Sequence, residues 1–331
     1  MTAEGLHRRS GRAVIAVALI VAGLLGAASS AHAAGAPRAR AGAGGPQWNV
    51  PHRLDPGAGF AAVSCPTVTF CMVVDELGHA AVFRHGHWSS PVVADPHLGA
   101  LHAVSCPSTS LCVAVDQAGR VVRWDGTHWS VPVEVDPHGF EAIECPTTSF
   151  CAAADFAGRV LTWDGGQWSR PFTVESGGQG FSTLSCPQAS GCVAMTTDGF
   201  FTSWNGKRWS KPADENTASA GISVSLVCVT TKYCMAALSN GDAAVDTGAT
   251  LHPVLVDHSG TGFSSLSCPT TTFCVGVDRE GDAFAWDGSR WSGATPVDRS
   301  AGVLGLTSVS CPVAGHCVAV SSSGDVVSTR S

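Results

Sequence analysis

The chain has 331 residues, of which only 14% are charged, and its 19 Lys/Arg against 26 Asp/Glu give a formal charge of −7. That balance excludes nucleic acid as the expected partner, because a phosphate backbone asks for a basic face. Fourteen cysteines, an even number, make the redox compartment the next question.

Residues 1–33 read as a secretory signal peptide. Arg8, Arg9 and Arg12 form a basic start, Ala13 to Ala28 an apolar run, and Ala31-His32-Ala33 a small-x-small cleavage site ahead of Ala34. An uncleaved anchor is the rival reading, against which the apolar run of about 16 residues is short for a span. No cysteine follows it, so no lipid anchor is expected. No later segment is long and apolar enough to cross a bilayer. Removal of Glu4, Arg8, Arg9 and Arg12, net +2, leaves the secreted, extracellular chain near −9. Residues 34–46, rich in Ala, Gly, Pro and Arg, read as a flexible leader.

From residue 47 to 331 the chain repeats with a period of about 40 residues, the signature of a propeller or solenoid. Each repeat carries one C-x5-C pair: Cys65/Cys71, Cys106/Cys112, Cys145/Cys151, Cys186/Cys192, Cys228/Cys234, Cys268/Cys274 and Cys311/Cys317. In an oxidising compartment these read as disulfides. A zinc site would need two pairs converging on one metal, usually at C-x2-4-C spacing. Every repeat faces the same local problem, so pairing within the repeat is the economical connectivity. Each short bridge then stabilises by about 2 kcal/mol, a staple on a core.

The second repeat, Leu101 to Gly139, divides into four strands. Leu101 to Cys106 is the first, followed by a turn expected to start at Pro107. Cys112 to Asp116, small and apolar, suits a strand buried on both faces. Equivalent second strands are expected to begin at Cys71, Cys151, Cys192, Cys234, Cys274 and Cys317. Arg120 to Trp124 and Trp129 to Val135 follow, separated by the turn signal Asp125-Gly126. Four strands with a turn every 8 to 10 residues or so describe one propeller blade. Paired tryptophans recur as Trp163/Trp168, Trp204/Trp209 and Trp286/Trp291, whereas the first repeat has Phe83 and Trp88. The fifth repeat has neither tryptophan and carries Val229 where the others have proline. The last repeat lacks a fourth strand. That strand is found at the other end, where Gln47-Trp48-Asn49-Val50-Pro51 matches His128-Trp129-Ser130-Val131-Pro132 and Leu54-Asp55-Pro56 matches Val135-Asp136-Pro137. The expected fold is therefore all-β: a seven-bladed propeller of four-stranded antiparallel blades, closed by the N-terminal strand, which hides the sheet edges.

Gly119-Arg120-Val121-Val122-Arg123-Trp124-Asp125, Gly158 to Asp164 and Gly281 to Asp287 resemble the third strand of WD-repeat propellers. That family often places an aspartate just before the glycine as part of a polar tetrad. Here the position holds Ala118 or Ala157, and only Asp198 matches, so the tetrad is not carried over. Over residues 47–331 the whole repeat, with C-P-x4-C and W-D-G-x2-W-S, is similar to secreted actinobacterial propellers. These mostly lack an assigned activity.

In a propeller the second-to-third and fourth-to-first connections share one face. That face collects the candidate binding residues Asp75, Asp95, His97, Asp116, Asp136, His138, Asp155, Asp257, His258 and Asp278. The aspartates that end second strands also have a structural reading, since Asp bonds its own turn. No cofactor is expected, with Ca²⁺ the one ion that acidic loops could hold, although no D-x-D-x-D-G loop occurs. The opposite face collects Lys207, Arg208, Lys232 and Arg290, and a basic patch in repeats four and five, Lys207, Arg208, Lys211 and Lys232, includes every lysine of the chain. No G-x-S-x-G or H-E-x-x-H motif is present. The D-G-x-x-W turns only approach sialidase aspartate boxes, and Tyr233 sits at a packing position. The expected protein is a secreted monomeric binding module for a cell-envelope glycan or a protein partner. The alternative is a glycoside hydrolase or lyase using carboxylates of the acidic face.

Overall fold

The second strand of every repeat is short, apolar and small, and such a strand is stable only between two other layers. A computed structural model describes residues 45–97, 99–174, 180–197, 200–211, 213–214, 223–246, 252–257, 261–302 and 305–330. Among them every regular element is a strand, and the strands form seven antiparallel blades. Blades 1 to 6 span 60–93, 101–134, 140–173, 181–214, 223–255 and 263–296, and blade 7 combines 306–328 with His52–Arg53. The expected signal peptide, almost all of the leader, Asp198 and His258 lie outside the described residues.

Blade 2 shows the design. Its strands, Leu101–Ser108, Leu111–Asp116, Arg120–Trp124 and Val133–Glu134, pair in chain order from the ring axis outward. The second strand is buried at every residue and the fourth is exposed at both. First strands of successive blades touch all the way round, blade 7 against blade 1 included, so the ring is closed. The core consists of layers between blades. Met72 and Val74 of blade 1, for example, pack with Leu101, Val104 and Trp124 of blade 2.

The closing strand is where the sequence match places it. His52 pairs with Val326, Arg53 with Asp325, and Trp48 bridges Thr329 as Trp129 bridges Trp124. Leu54 and Asp55 donate their N–H groups to the Gly324 carbonyl at 2.9 and 3.1 Å, as Val135 and Asp136 do to Gly119. Gly119 has φ +82°, and a Cβ there would collide with the Asp136 carbonyl.

Every disulfide links cysteines of one repeat and joins the first and second strands of its blade. The pairs are Cys65 with Cys71, Cys106 with Cys112, Cys145 with Cys151, Cys186 with Cys192, Cys228 with Cys234, Cys268 with Cys274 and Cys311 with Cys317. All fourteen are buried. Cys151, Cys192 and Cys274 lie inside the layers between blades, beside Ala153, Ala194 and Phe284 respectively, so they are structural residues of the core and not part of an accessible site.

Two local expectations are corrected. The second strands do not begin at the cysteines Cys71, Cys112, Cys151, Cys192, Cys234, Cys274 and Cys317. They begin one residue earlier, at Phe70, Leu111, Phe150, Gly191, Tyr233, Phe273 and His316. The reason is the last ladder pair before the turn: Phe150 faces Thr147, Gly191 faces Gln188 and Phe273 faces Thr270. Cys151, Cys192 and Cys274 therefore sit at the second position of their strands, opposite Trp163, Trp204 and Trp286 of the third strands. Nor does Pro107 start the turn; it lies inside the first strand, which runs on to Ser108. The register shifts between Ser105↔Val113 and Ser108↔Leu111. Proline cannot donate to the ladder, so it sits at this bulge, and the turn is Thr109-Ser110. Blade 5 is the natural control. There Val229 replaces the proline, and Cys228 and Cys234 pair directly in the ladder.

Candidate functional site

Three places depart from a plain stack of blades: the aspartates of the loop face, the inner ring of first strands, and the seam between blades 7 and 1.

On the loop face Asp75, Asp116, Asp155 and Asp278 end second strands and are fully buried. Each uses Oδ1 to accept the N–H groups two and four residues on; for Asp116 these are Ala118 at 2.9 Å and Arg120 at 2.7 Å. Asp95, Asp136 and Asp257 follow fourth strands and are also buried. Asp95 and Asp136 accept the N–H of His97 and His138, both at 2.9 Å, and those two imidazoles stay about half exposed at 3.3 and 3.4 Å from the carboxylates. Two buried carboxylates thus meet at each such junction, and uncompensated they would be costly. In blade 2, Arg120 supplies the cation, with Nε 2.6 Å from Asp116 Oδ2 and Nη2 3.3 Å from Asp95 Oδ2. Arg159 bridges Asp155 and Asp136 in the same way in blade 3 and also contacts His138. In blade 1 the position is His79, with Nδ1 3.0 Å from Asp75 Oδ2, and Asp55, Asp75 and His79 place possible ligand atoms within 4.8 Å of one another. In blade 7 the closing strand provides Arg53, which holds Asp325 through Nε at 2.6 Å and Nη2 at 3.0 Å.

Blade 6 differs. Position 282, equivalent to Arg120, is an aspartate. Burial first, then the Asp282 and Asp257 charges, push the Asp278 carboxyl up to about 6. These bridging residues escape a motif search. The signal is the column just after the turn glycine, basic only in blades 1 to 3: His79, Arg120, Arg159, Phe200, Asp242, Asp282, Asp325.

The exposed turns have a structural explanation as well. Asp125 accepts the N–H groups of His128 and Thr127 and the Thr127 hydroxyl, which hold its carboxyl down at about 2. Lys207, Arg208, Lys211 and Lys232 are all exposed: Lys207 and Arg208 at the turn after the third strand of blade 4, Lys211 just beyond Trp209, and Lys232 on the turn before the second strand of blade 5. The Tyr233 hydroxyl donates to the Thr271 carbonyl at 3.1 Å.

Around the inner ring, hydroxyls tie each blade to the next. Ser64, Ser105, Ser185, Ser267 and Ser310 accept the N–H of the first disulfide cysteine of the following blade at 2.9–3.0 Å. Blade 3 has Glu144 in this column, and burial alone pushes its carboxyl up to about 7.

At the seam the repeat itself is broken. Blade 1 has Phe83 where blades 2, 3, 4 and 6 have tryptophan, and blade 7 has Thr329. A cleft of about 500 Å³ opens there, lined by Asn49, Val68, Phe83, Trp88, His316, Val318 and Arg330 among others. Phe83 and Trp88 form its aromatic wall, with ring centroids 5.4 Å apart. Asn49 is fixed by Ser328 at 3.1 Å, and Arg330 Nε donates to the Trp48 carbonyl at 3.0 Å.

No family model matches the sequence, and no curated protein matches it. Solved propellers match the fold. A structure of YCF48 bound to a D1 peptide aligns with TM-score 0.69 at 17% identity over 88% of this chain and 99% of that one. YCF48 from Cyanidioschyzon merolae gives 0.66 at 14%, over 86% and 98%. The WD40 propeller domain of Doa1 gives 0.70 at 10%, over 86% and 97%. The chain is thus built as a seven-bladed propeller of WD40-like architecture, stapled by a disulfide in every blade.

Proposed function

We propose that this protein is a secreted propeller that binds an extended peptide segment of a protein partner in the cleft between blades 7 and 1. The observation that carries the reading is the cleft itself, the place where Phe83 and Thr329 stand in the third-strand tryptophan position of blades 1 and 7 and fixed polar groups surround an aromatic wall of Phe83 and Trp88. Apolar lining with a few oriented polar side chains is the usual make-up of a recognition pocket. Val68 on its rim and the neighbouring Val313 are exposed apolar side chains. The peptide seen on YCF48 supports peptide recognition by a propeller of this size. Fourteen cysteines in seven disulfides, with none free, suit an oxidising, extracellular compartment, as does the signal-like start of the sequence.

A cell-envelope glycan is the second reading, since aromatic rings beside Asn49 and Arg330 also suit a sugar. Hydrolysis finds less support. It needs two carboxylates facing substrate, and the conspicuous carboxylates are buried in turns. Purified protein is to be screened against a displayed peptide library and a glycan panel, together with Val68→Asp and His316→Ala, both at exposed positions. Selected peptides are expected to bind Val68→Asp about tenfold more weakly or worse. Enrichment of glycans alone, or of peptides indifferent to both substitutions, would sink the reading.

A further inference from the structure

The loop-face junctions of blades 1, 2 and 3 follow one electrostatic rule, and blade 6, which keeps the second-strand aspartate, departs from it. In blades 1, 2 and 3 the second-strand aspartate uses Oδ1 for its turn and Oδ2 for a basic side chain four residues on. The partners of Oδ2 are His79 Nδ1 at 3.0 Å, Arg120 Nε at 2.6 Å and Arg159 Nε at 2.6 Å. In blade 6, Asp278 keeps the turn: its Oδ1 accepts Glu280 N–H at 2.9 Å and Asp282 N–H at 2.8 Å. Its Oδ2, in the place that meets a cation elsewhere, has no hydrogen-bond partner among the described residues, and the residue is 0% exposed. Asp95 Oδ2 lacks a hydrogen bond too, but it has the Arg120 guanidinium 3.3 Å away. Asp278 has instead the carboxylate of Asp282, itself 5% exposed, and across the junction Asp257, 2% exposed, whose Oδ2 accepts Gly262 N–H at 3.0 Å.

Among the described residues Arg299 reaches this junction. Its Nη2 lies 2.8 Å from Asp282 Oδ1, but its side chain is 57% exposed and its other contact is the Glu280 carbonyl. It leaves Asp278 Oδ2 without a hydrogen bond, next to the charge of Asp282. Buried carboxylates in this state either take up a proton or bind a metal. All-oxygen, carboxylate-rich ligation selects a hard cation, and Ca²⁺ tolerates the irregular geometry that Mg²⁺ does not. A basic side chain from a partner would have to enter where the carboxylates are almost fully covered, which a bare ion does more easily.

We infer that the junction entering blade 6 is a Ca²⁺ site, with Asp278 Oδ2 and Asp282 as carboxylate ligands and Asp257 adding negative charge, the ion doing there what arginine does in blades 2 and 3. The inference does not depend on the seam cleft, which lies on the other face.

The test is thermal unfolding and calorimetric titration of EGTA-treated protein with CaCl2, from about 10 μM to about 10 mM, the range of extracellular calcium modules. MgCl2 and an arginine-rich peptide serve as comparators. Ca²⁺ is expected to raise the Tm of the wild type, and Mg²⁺ to do so much less. Asp282→Arg, which installs the arrangement of blades 2 and 3, is expected to unfold at a higher temperature than the wild type without Ca²⁺ and to ignore the ion. Asp278→Asn, which keeps the turn acceptor, is expected to lose the Ca²⁺ response and serves if the arginine variant fails to fold. A wild type indifferent to Ca²⁺ across this range would overturn the inference. So would a wild-type Ca²⁺ response in Asp278→Asn, which would place the ion at another group such as Asp55, Asp75 and His79. Stabilisation by the peptide but not by Ca²⁺ would overturn it in favour of a basic partner.

Discussion

Most buried carboxylates in this molecule are held by turn N–H groups or a basic side chain, and Glu144 is a different case, a partly buried carboxyl on the inner ring. It occupies the inner-ring column that serine fills in five blades, and burial raises its carboxyl from an ordinary 4.5 to about 7. A raised carboxyl pKa means that the folded state holds the proton more tightly than the unfolded one. Stability therefore falls as pH rises from about 4.5 to about 7, and the loss is complete above that window. At 1.36 kcal/mol per pH unit the window from about 4.5 to about 7 amounts to about 3.4 kcal/mol as an upper value. Glu144→Gln keeps the shape and removes the charge. Its Tm is expected to match the wild type near pH 4.5 and exceed it near pH 8. Parallel Tm curves for the two proteins across that range would show that the carboxyl is solvated and its pKa ordinary.

At the scale of the element, two devices hold strands together, and only one of them is legible in the sequence. The C-x5-C spacing and its repetition lead to the intra-blade disulfide, because a local pair needs no knowledge of neighbours. The serine just before the first cysteine reads as an unremarkable polar residue on an inner strand. Its role is to accept a backbone N–H from the next blade, about 40 residues away along the chain, and no local pattern encodes that contact. The proline after the same cysteine is ambiguous for a related reason. Proline marks turns and edges alike, and the partner strand alone decides which; here the ladder shifts by one residue and the proline fills the place with no donor to give. The serine device can be measured. Ser105→Ala leaves the Cys145 N–H, bonded at 2.9 Å in a buried setting, without its acceptor. The expected cost is about 1 to 2 kcal/mol in denaturant unfolding. Ser130→Ala, at an exposed position of the fourth-strand region, is the comparison and is expected to cost less. Equal costs would mean that water replaces the ring contact.

For the molecule as a whole, the ring is visible in the sequence because blade 7 is incomplete in a way that one other segment, 47–56, repairs. The electrostatics of the repair are not visible there. Arg53 matches Glu134 of blade 2 in the strand register, yet it does the work of Arg120, reaching Asp325 from the neighbouring strand instead of from the third strand itself. This is why the junction chemistry cannot be read by aligning repeats: the same charge is delivered from different columns in different blades. The closing strand also brings Trp48, 7% exposed, into the layer between blades 6 and 7. Removing residues up to 57 would take the Arg53 guanidinium away from the buried carboxylate of Asp325 and lose roughly 2 kcal/mol of tryptophan burial. Against a total stability of about 5 to 15 kcal/mol the tryptophan alone is a sizeable share. The truncated protein is expected to unfold at markedly lower temperature and with a broader transition, since the open edges of blades 7 and 1 no longer support each other. A peptide covering 45–57, added in trans, is expected to restore much of the lost Tm, whereas the same peptide carrying Arg53→Glu is not. Rescue by both peptides alike would assign closure to backbone pairing and tryptophan burial alone, and no rescue by either would mean that blade 7 does not keep its three-stranded form when the strand is absent.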